Sequence, residues 1–213
     1  MTEEPWEDPA DEHMQDTAER SGPAWEGDGA SPTSFLETLK SVLLAPTLMF
    51  QSMRREGGVG SPLLFGLIGS GIGALAGLVY QVVIGMLTGT LAFAEFAVQL
   101  VATPFALVAF FFVNLGIRQL MLMVLGGGQR GIETTLRVQA YCTGSISILV
   151  LIPFCGNLLA IPWGIVCEII GLSEAHEISR GKAALAVLIP IALCCLGFSV
   201  IVASTGMLAQ YLS

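Results

Sequence analysis

The chain has 213 residues, of which 54% are hydrophobic and 12% charged, with a mean hydropathy of +0.75. Soluble domains carry about 25% charged residues, so a water-soluble globule of this composition lacks the polar residues to cover its surface. The formal net charge of −8 comes from the first thirty residues, which hold ten acids and one base. The rest of the chain holds eight bases and seven acids and has no basic face for phosphates, which excludes nucleic acid as a partner.

The amino-terminal residues 1–32 are acidic, contain prolines and show no hydrophobic periodicity. This composition predicts a disordered tail. Trp6 and Trp25 in this tail are either anchors of a short motif that recruits a soluble cytoplasmic partner or incidental aromatic residues. The composition of the tail favours incidental aromatic residues.

Two short amphipathic segments follow between residues 34 and 55. Ser34 and Glu37 fit a capping box at a helix start, and Pro46 interrupts the apolar spacing that follows. Because neither segment is long enough to cross a bilayer, we expect short helices that lie in the membrane interface. Packing against a neighbouring chain would explain the same pattern equally well.

Long stretches without charge dominate the rest of the sequence, and they run 38, 22, 30 and 31 residues. Each exceeds the 18 or so apolar residues that suggest a membrane span. The third stretch fits one long helix or a hairpin, and a hairpin that turns at Pro153 and Gly156 places all eight Lys and Arg residues of 33–213 on one side, as the positive-inside rule favours. We therefore predict an all-α membrane domain over residues 33–213, with a cytoplasmic amino terminus and an external carboxyl terminus. Its five transmembrane helices are predicted at about 62–87, 96–118, 133–152, 157–172 and 183–210.

Glycine recurs at four-residue intervals along the first predicted span and just beyond it, with Gln81 at the one position that breaks the series. A helix ridge without side chains lets another helix approach closely in lipid, so we expect a packing surface within the bundle or between protomers. The same segment contains a GxGxxA pattern, but a dinucleotide-binding helix has one solvated face, and residues 57–94 carry no charge. The predicted helix-packing residues are Gly69, Gly73, Gly77, Gly85 and Gly89.

Glu168 lies deep in the fourth predicted span, and ionisable residues at membrane depth are functional candidates by default. It is either a proton or cation site, or the structural partner of Arg118 or Arg137 at a similar depth. The structural pairing is favoured, since transporters usually show more than one such group.

We find no pattern that indicates an enzyme, a cofactor or a metal. His176 has no second histidine at the spacing of a zinc-binding HExxH helix. We therefore assign no catalytic, cofactor-binding or metal-binding residue. The polar candidates for interaction or structural roles are Arg118, Arg137, Tyr141, Glu168, His176 and Lys182.

An ordered series of short motifs resembles the Yip domain (Ypt-interacting protein, "Yip one") family, over about residues 33–212. The motifs are APTLMF at 45–50, ETTLR at 133–137, AY at 140–141, IP at 152–153, GN at 156–157, Trp163, GLSEAHEIS at 171–179 and KA at 182–183. The resemblance implies a non-enzymatic integral membrane protein with a cytoplasmic amino terminus and five spans.

The family resemblance also implies a role in membrane organisation. Eukaryotic relatives lie in Golgi and endoplasmic-reticulum membranes, bind Rab-type GTPases and one another, and affect vesicle formation and membrane shape. This chain has Ala45-Pro46 where they carry Asp-Leu-x-Gly-Pro, and Ala140-Tyr141-Cys142 where they carry Gly-Tyr, which argues against GTPase binding.

The compact chain is more similar to prokaryotic members, which implies the cytoplasmic membrane, with the Golgi or endoplasmic reticulum as the alternative. We expect an interaction scaffold that organises a membrane or serves trafficking, embedded in the bilayer as a homo- or hetero-oligomer with other membrane proteins. The alternative function is a small transporter or channel that uses Glu168.

Overall fold

The computed structural model describes residues 20–212, with side chains described up to Val202 and at Ser204. Within these residues the chain is helical and contains no strand, so the predicted all-α class is confirmed. The elements are α1 (Ala24–Gly27), α2 (Pro32–Leu44), α3 (Pro46–Ser52), α4 (Gly60–Thr88), α5 (Phe93–Val124), α6 (Gly131–Ser147), a 3-10 turn (Ile148–Leu151), α7 (Gly156–His176) and α8 (Arg180–Leu212).

Four helices of the described chain are long and apolar enough to cross a membrane, namely α4, α5, α7 and the Arg180–Val202 part of α8. The remaining predicted span corresponds to α6, which has 17 residues and is not among the four. Buried polar side chains, including Thr134, Arg137 and Gln139, give α6 its low hydropathy. They lie inside the helix bundle, where a helix does not need an apolar surface.

The helix directions follow from which residues face each other. Gly66 of α4 faces Ala140 of α6, and Gly73 faces Ser147 further along both helices. Because the contacting residue numbers increase along both helices in the same direction, α4 and α6 run parallel.

Helix α7 runs in the opposite direction to α6. Gly171, late in α7, faces Val138, whereas Gly156, at the start of α7, faces Leu149 in the 3-10 turn. The chain reverses between them through Phe154, which has a positive φ of 63°. Pro153 and Gly156, the predicted hairpin turn, lie at this reversal.

The two short helices α2 and α3 pack against the bundle of their own chain. Val42 and Phe50 are fully buried, and the Cys167 thiol of α7 donates to the carbonyl oxygen of Val42 at 3.5 Å. On the other side of these helices Leu44 and Leu48 are 75% and 69% exposed. The segment therefore has two apolar sides, one buried in the bundle and one exposed.

The start of α2 differs from the predicted capping box at Ser34 and Glu37. Ser31 is the N-cap, because its hydroxyl accepts from the backbone N–H of Ser34 at 3.1 Å. The Ser34 hydroxyl in turn accepts from the backbone N–H of Ser31 at 3.0 Å. Serine serves at both positions of the box, and the predicted start was three residues too late.

The end of the acidic tail is ordered, which corrects the expectation of disorder over residues 20–32. Residues Ala24–Gly27 form the helical turn α1, and Trp25 is 3% exposed. Trp25 is thus a core residue and not an incidental aromatic. Trp6 and the first part of the tail lie outside the described residues.

Two helices continue past the ends of the predicted spans. The fourth span was predicted to end at about residue 172, but α7 continues through His176. The second span was predicted to end at about residue 118, but α5 continues past Arg118 to Val124. Apolar side chains account for both extensions, because Leu122 and Ala175 are buried in the core.

The predicted glycine ridge has a close packing partner in its first half. A Cβ atom at Gly69 would lie 2.1 Å from the carbonyl oxygen of Gly144, and one at Gly73 would lie 2.5 Å from that of Ser147. Only glycine allows backbones to approach so closely. At Gly77 nothing lies within 4 Å of the position of a Cβ atom, so this contact ends before Gly77.

The last two glycines of the ridge lie at the end of α4. Gly89 caps the helix in the left-handed region with a φ of 68°, a conformation that glycine adopts without steric cost. A Cβ atom at Gly85 would lie 3.1 Å from the Cβ of Leu91. These glycines therefore shape the turn into α5 and do not contact α6.

Candidate functional site

A buried arginine on α6 binds the end of the acidic tail. The side chain of Arg137 is 1% exposed, and its Nη1 donates to both carboxylate oxygens of Glu26 at 2.8 and 2.9 Å. Its Nη2 donates to the carbonyl oxygen of Gly58 at 2.6 Å and to Glu133 Oε1 at 3.2 Å. A buried guanidinium needs this number of partners to offset the loss of its hydration.

Tyr141 lies one helical turn after Arg137 and contacts the same carboxylate. Its hydroxyl donates to Glu26 Oε1, and its ring centroid lies 5.1 Å from that of Phe65 on α4. The tyrosine is fully buried. Glu26 therefore accepts hydrogen bonds from two α6 side chains inside the fold.

Trp25 fills the apolar side of this pocket. Its indole N–H donates to the carbonyl oxygen of Ser61 at 2.8 Å, and its backbone N–H donates to Thr38 Oγ1 at 3.0 Å. The rings of Phe35 and Phe65 meet the indole edge-on at centroid distances of 5.9 and 5.7 Å. The site recognises a tryptophan side chain, the following carboxylate and one backbone amide. We call it the Trp–Glu pocket and define it by Phe35, Thr38, Ser61, Phe65, Arg137 and Tyr141.

A second charged cluster lies at the same end of the bundle, where α7 gives way to α8. Glu177 ends α7 in the left-handed region and accepts hydrogen bonds from Arg55 and Arg130. Arg20 Nη2 lies 3.4 Å from Glu177 Oε1. Partial burial acts to raise the pKa of Glu177, but the hydrogen bonds and charges of Arg55 and Arg130 outweigh it and hold the pKa below its usual value. This carboxylate joins the tail to three interhelical loops.

The third polar site lies within the apolar part of the bundle. Arg118 Nε donates to Glu168 Oε1 at 2.6 Å and Nη2 donates to Oε2 at 2.9 Å. Arg118 Nη1 also donates to the carbonyl oxygen of Val187 at 3.0 Å. This is the structural pairing expected as one alternative for Glu168, and Arg118 is the partner.

A cavity of about 480 Å³ opens beside this ion pair and is lined by residues that include Phe111, Asn114 and Gln139. Gln139 donates from Nε2 to the carbonyl oxygen of Phe111 at 2.7 Å. Most of the cavity wall is apolar. Its polar lining residues are Ser70, Asn114, Arg118, Gln139, Thr143 and Glu168.

The two remaining predicted candidates are a histidine beside the Glu177 cluster and a lysine in α8. His176 is buried, with Nε2 2.9 Å from Thr135 Oγ1. Lys182 lies exposed in the first turn of α8, and its backbone N–H donates to Ser179 Oγ at 3.4 Å. Among residues 20–212 no three His, Cys, Asp or Glu side chains lie close enough to hold a metal ion.

Arg137 and Tyr141, which bind Glu26, were predicted as candidates, whereas sequence reasoning missed Glu26, Glu177 and the two arginines that bind Glu177, Arg55 and Arg130. Glu26 is one of ten acids in the first thirty residues, and nothing in the sequence around it distinguishes it from the others. The only indirect signal was Arg137, a charge in a predicted span that needs an acidic partner. Glu177 resembles an ordinary loop acid, and we find no sequence signal that separates it from Glu174.

The sequence matches the model of the Yip1 domain over residues 40–201. The chain belongs to the Yip1 family. The resemblance noted in the sequence is therefore confirmed, and the apolar helices together with this domain make the chain an integral membrane protein. No curated protein and no solved structure gives a significant match. Arg137 and Tyr141 lie inside the matched Yip1 segment, whereas Trp25 and Glu26 lie outside it.

Proposed function

We propose that this Yip1 protein is a non-enzymatic scaffold that organises a membrane by inserting α2 and α3 into one leaflet and by binding other membrane proteins. The observation that carries the proposal is the two-sided packing of α2 and α3. One side is fixed to the bundle through Val42 and Phe50, and the other presents Leu44 and Leu48. A helix pair held in this way expands one leaflet without crossing the bilayer.

The charge distribution supports a cytoplasmic position for the end of the bundle that carries the Glu177 cluster. Arg20, Arg55 and Arg130 converge on Glu177, and Arg180 begins the next helix. By the positive-inside rule, the side rich in lysine and arginine faces the cytoplasm. We propose five spans, with α6 as the third, because α4 and α6 run parallel and α7 runs antiparallel to both, as the first, third and fourth crossings require.

Exposed aromatic side chains on α5 support association with other membrane proteins or with lipid. Phe105 and Phe110 are 73% and 69% exposed. We propose homo- or hetero-oligomers on this surface, in a prokaryotic cytoplasmic membrane, with the Golgi or endoplasmic reticulum as the alternative location. Recruitment of a soluble partner by the acidic tail is part of the same proposal. The departures from the GTPase-binding relatives at Ala45 and Ala140 argue against a Rab-type partner.

Crosslinking of the full chain in native membranes tests the scaffold role. We expect protein adducts, either further copies of the chain or other membrane proteins. Replacing Leu44 and Leu48 with serine should reduce the reshaping of liposomes by the protein. Leu158→Ser, at an equally exposed position of 74% at the opposite end of the bundle, is the matched control and should leave reshaping unchanged. A monomer without protein adducts, or equal reshaping by all variants, would overturn the proposal.

The cavity beside Glu168 favours a second candidate function, the transport of a small solute. Its volume of about 480 Å³ is in the range of small-molecule sites. The double hydrogen bond to Arg118 opposes this role because it holds the carboxylate in a fixed pair. Flux assays on proteoliposomes with Glu168→Gln decide between the two. A flux that this variant abolishes, while the protein stays folded, would establish transport.

A further inference from the structure

The tail contains two Trp–Glu dipeptides, and the Trp–Glu pocket holds one of them. Trp25-Glu26 occupies the pocket, and Trp6-Glu7 repeats the dipeptide nearer the amino terminus. The third tryptophan of the chain, Trp163, is followed by glycine. Both dipeptides lie in proline-containing acidic surroundings, and in an ungapped alignment only the tryptophan and the glutamate are identical.

Pro5 and Asp8, the two residues that flank Trp6-Glu7 directly, are compatible with the backbone that α1 adopts in the pocket. Aligning the two dipeptides puts Pro5 at the position of Ala24, the first residue of α1. Proline is favoured at that position of a helix because its ring fixes φ and no N–H is needed there. The same alignment puts Asp8 at the position of Gly27, where a Cβ atom meets nothing within 4 Å.

Every contact that the pocket makes with Trp25-Glu26 is available to Trp6-Glu7. The indole N–H bonds to Ser61, the backbone N–H to Thr38, and the carboxylate to Arg137. These contacts involve the tryptophan, the glutamate and a main-chain amide. None of them depends on the side chain of Ala24.

We propose that Trp6-Glu7 of a second copy of this chain is an alternative ligand of the Trp–Glu pocket, so that the tails link neighbouring copies. A copy whose own Trp25 occupies its pocket has Trp6-Glu7 left to bind a copy whose Trp25 has withdrawn. The short linker from Trp25 to α2 gives the internal dipeptide a high effective concentration. Trp25 therefore limits self-association, and its release promotes it. The inference rests on the proposed scaffold role and identifies the bound partner as a second copy of this chain.

A photo-crosslinking amino acid at position 8 of the full chain tests the proposal and keeps Trp6-Glu7 intact, because a Cβ atom at the aligned position, Gly27, meets nothing within 4 Å. Donor copies with this residue are mixed in liposomes with tagged acceptor copies. We expect crosslinks between copies that map to the Trp–Glu pocket. The yield should rise several-fold with Trp25→Ala acceptors. It should fall with Glu7→Gln donors and stay unchanged with Glu12→Gln donors, which alter an acid that does not follow a tryptophan.

Wild-type acceptors keep the test decisive if Trp25→Ala does not fold. Their crosslinks must still map to the pocket, and a soluble peptide of residues 2–14 must compete them away, whereas the same peptide with Glu7→Gln must not. Crosslinks confined to one chain, or mapped elsewhere, would overturn the proposal. Self-association without crosslinks at the pocket would overturn this inference and leave the scaffold role intact. A chain that binds no protein at all would overturn the scaffold role itself.

Discussion

Arg137 of α6 and Glu26 of α1 form a buried ion pair across 111 residues of sequence, with side chains 1% and 7% exposed. The arginine belongs to the Yip1 domain and the glutamate to the segment before it. A residue that precedes the matched Yip1 segment therefore supplies the counter-charge for a buried arginine inside it. We therefore expect the stability of the membrane bundle to depend on the end of the acidic tail.

We expect Glu26→Ala to destabilise the folded protein by about 3–5 kcal/mol, the usual cost of leaving one partner of a buried ion pair without its counter-charge. Glu26→Gln should cost less, because an amide oxygen still accepts from Tyr141 or Arg137. Asp28→Ala, at an exposed position of the same segment, should have little effect. Thermal unfolding in detergent measures all three, and equal stability of Glu26→Ala and Asp28→Ala would contradict the role of the pair.

Gly69→Ala should destabilise the bundle by about 1–3 kcal/mol or more, because the added Cβ would overlap the backbone of Gly144, which cannot rotate away. Gly77→Ala lies two turns later on the same helix, in open space. It should be neutral or stabilising by up to about 1 kcal/mol, since alanine has the higher helix propensity. Oligomer size and melting temperature in detergent distinguish the two variants. If both melt alike, the α4–α6 contact does not determine stability.

The Glu177 cluster should make stability depend on pH in the acid range. The pKa of Glu177 is lower in the folded chain than its ordinary value of 4.5. Its contribution is therefore fully present above that value and disappears as the pH falls through the lowered pKa. We expect wild type to be more stable than Glu177→Gln at neutral pH and the difference to shrink on acidification. Melting curves from neutral to acidic pH measure this, and a difference independent of pH would refute it.

Arg118 and Glu168 should behave as one structural unit. Glu168→Gln and Arg118→Gln each leave a charge without its partner inside the bundle, so each should be strongly destabilising. The double variant should cost less than the two single costs added together. A double-mutant cycle on unfolding in detergent measures the coupling, and additive costs would show that the pair contributes no specific stability.

The long helices were predictable because their signal is local. A stretch without charge such as residues 57–94 reports directly on burial in lipid, and α4 spans Gly60–Thr88. The pairing of Glu168 was predictable as one of two alternatives because few cations lie at its depth. The site around Glu26 was not predictable, since the partner of Glu26 lies on a distant helix and nothing local marks this acid. The Ser31 cap was missed because serine at its third following position replaces the usual glutamate or glutamine.

The parallel packing of α4 and α6 constrains the order in which the protein is assembled during synthesis. Gly69 cannot meet Gly144 until α5 and most of α6 have left the ribosome. The separation is larger for Glu26, because Tyr141, whose hydroxyl binds it, is synthesised 115 residues later. Trp25-Glu26 of the nascent chain therefore has no pocket to bind while the first two apolar helices are inserted. During that interval this segment is available to any chaperone, or to any finished copy nearby.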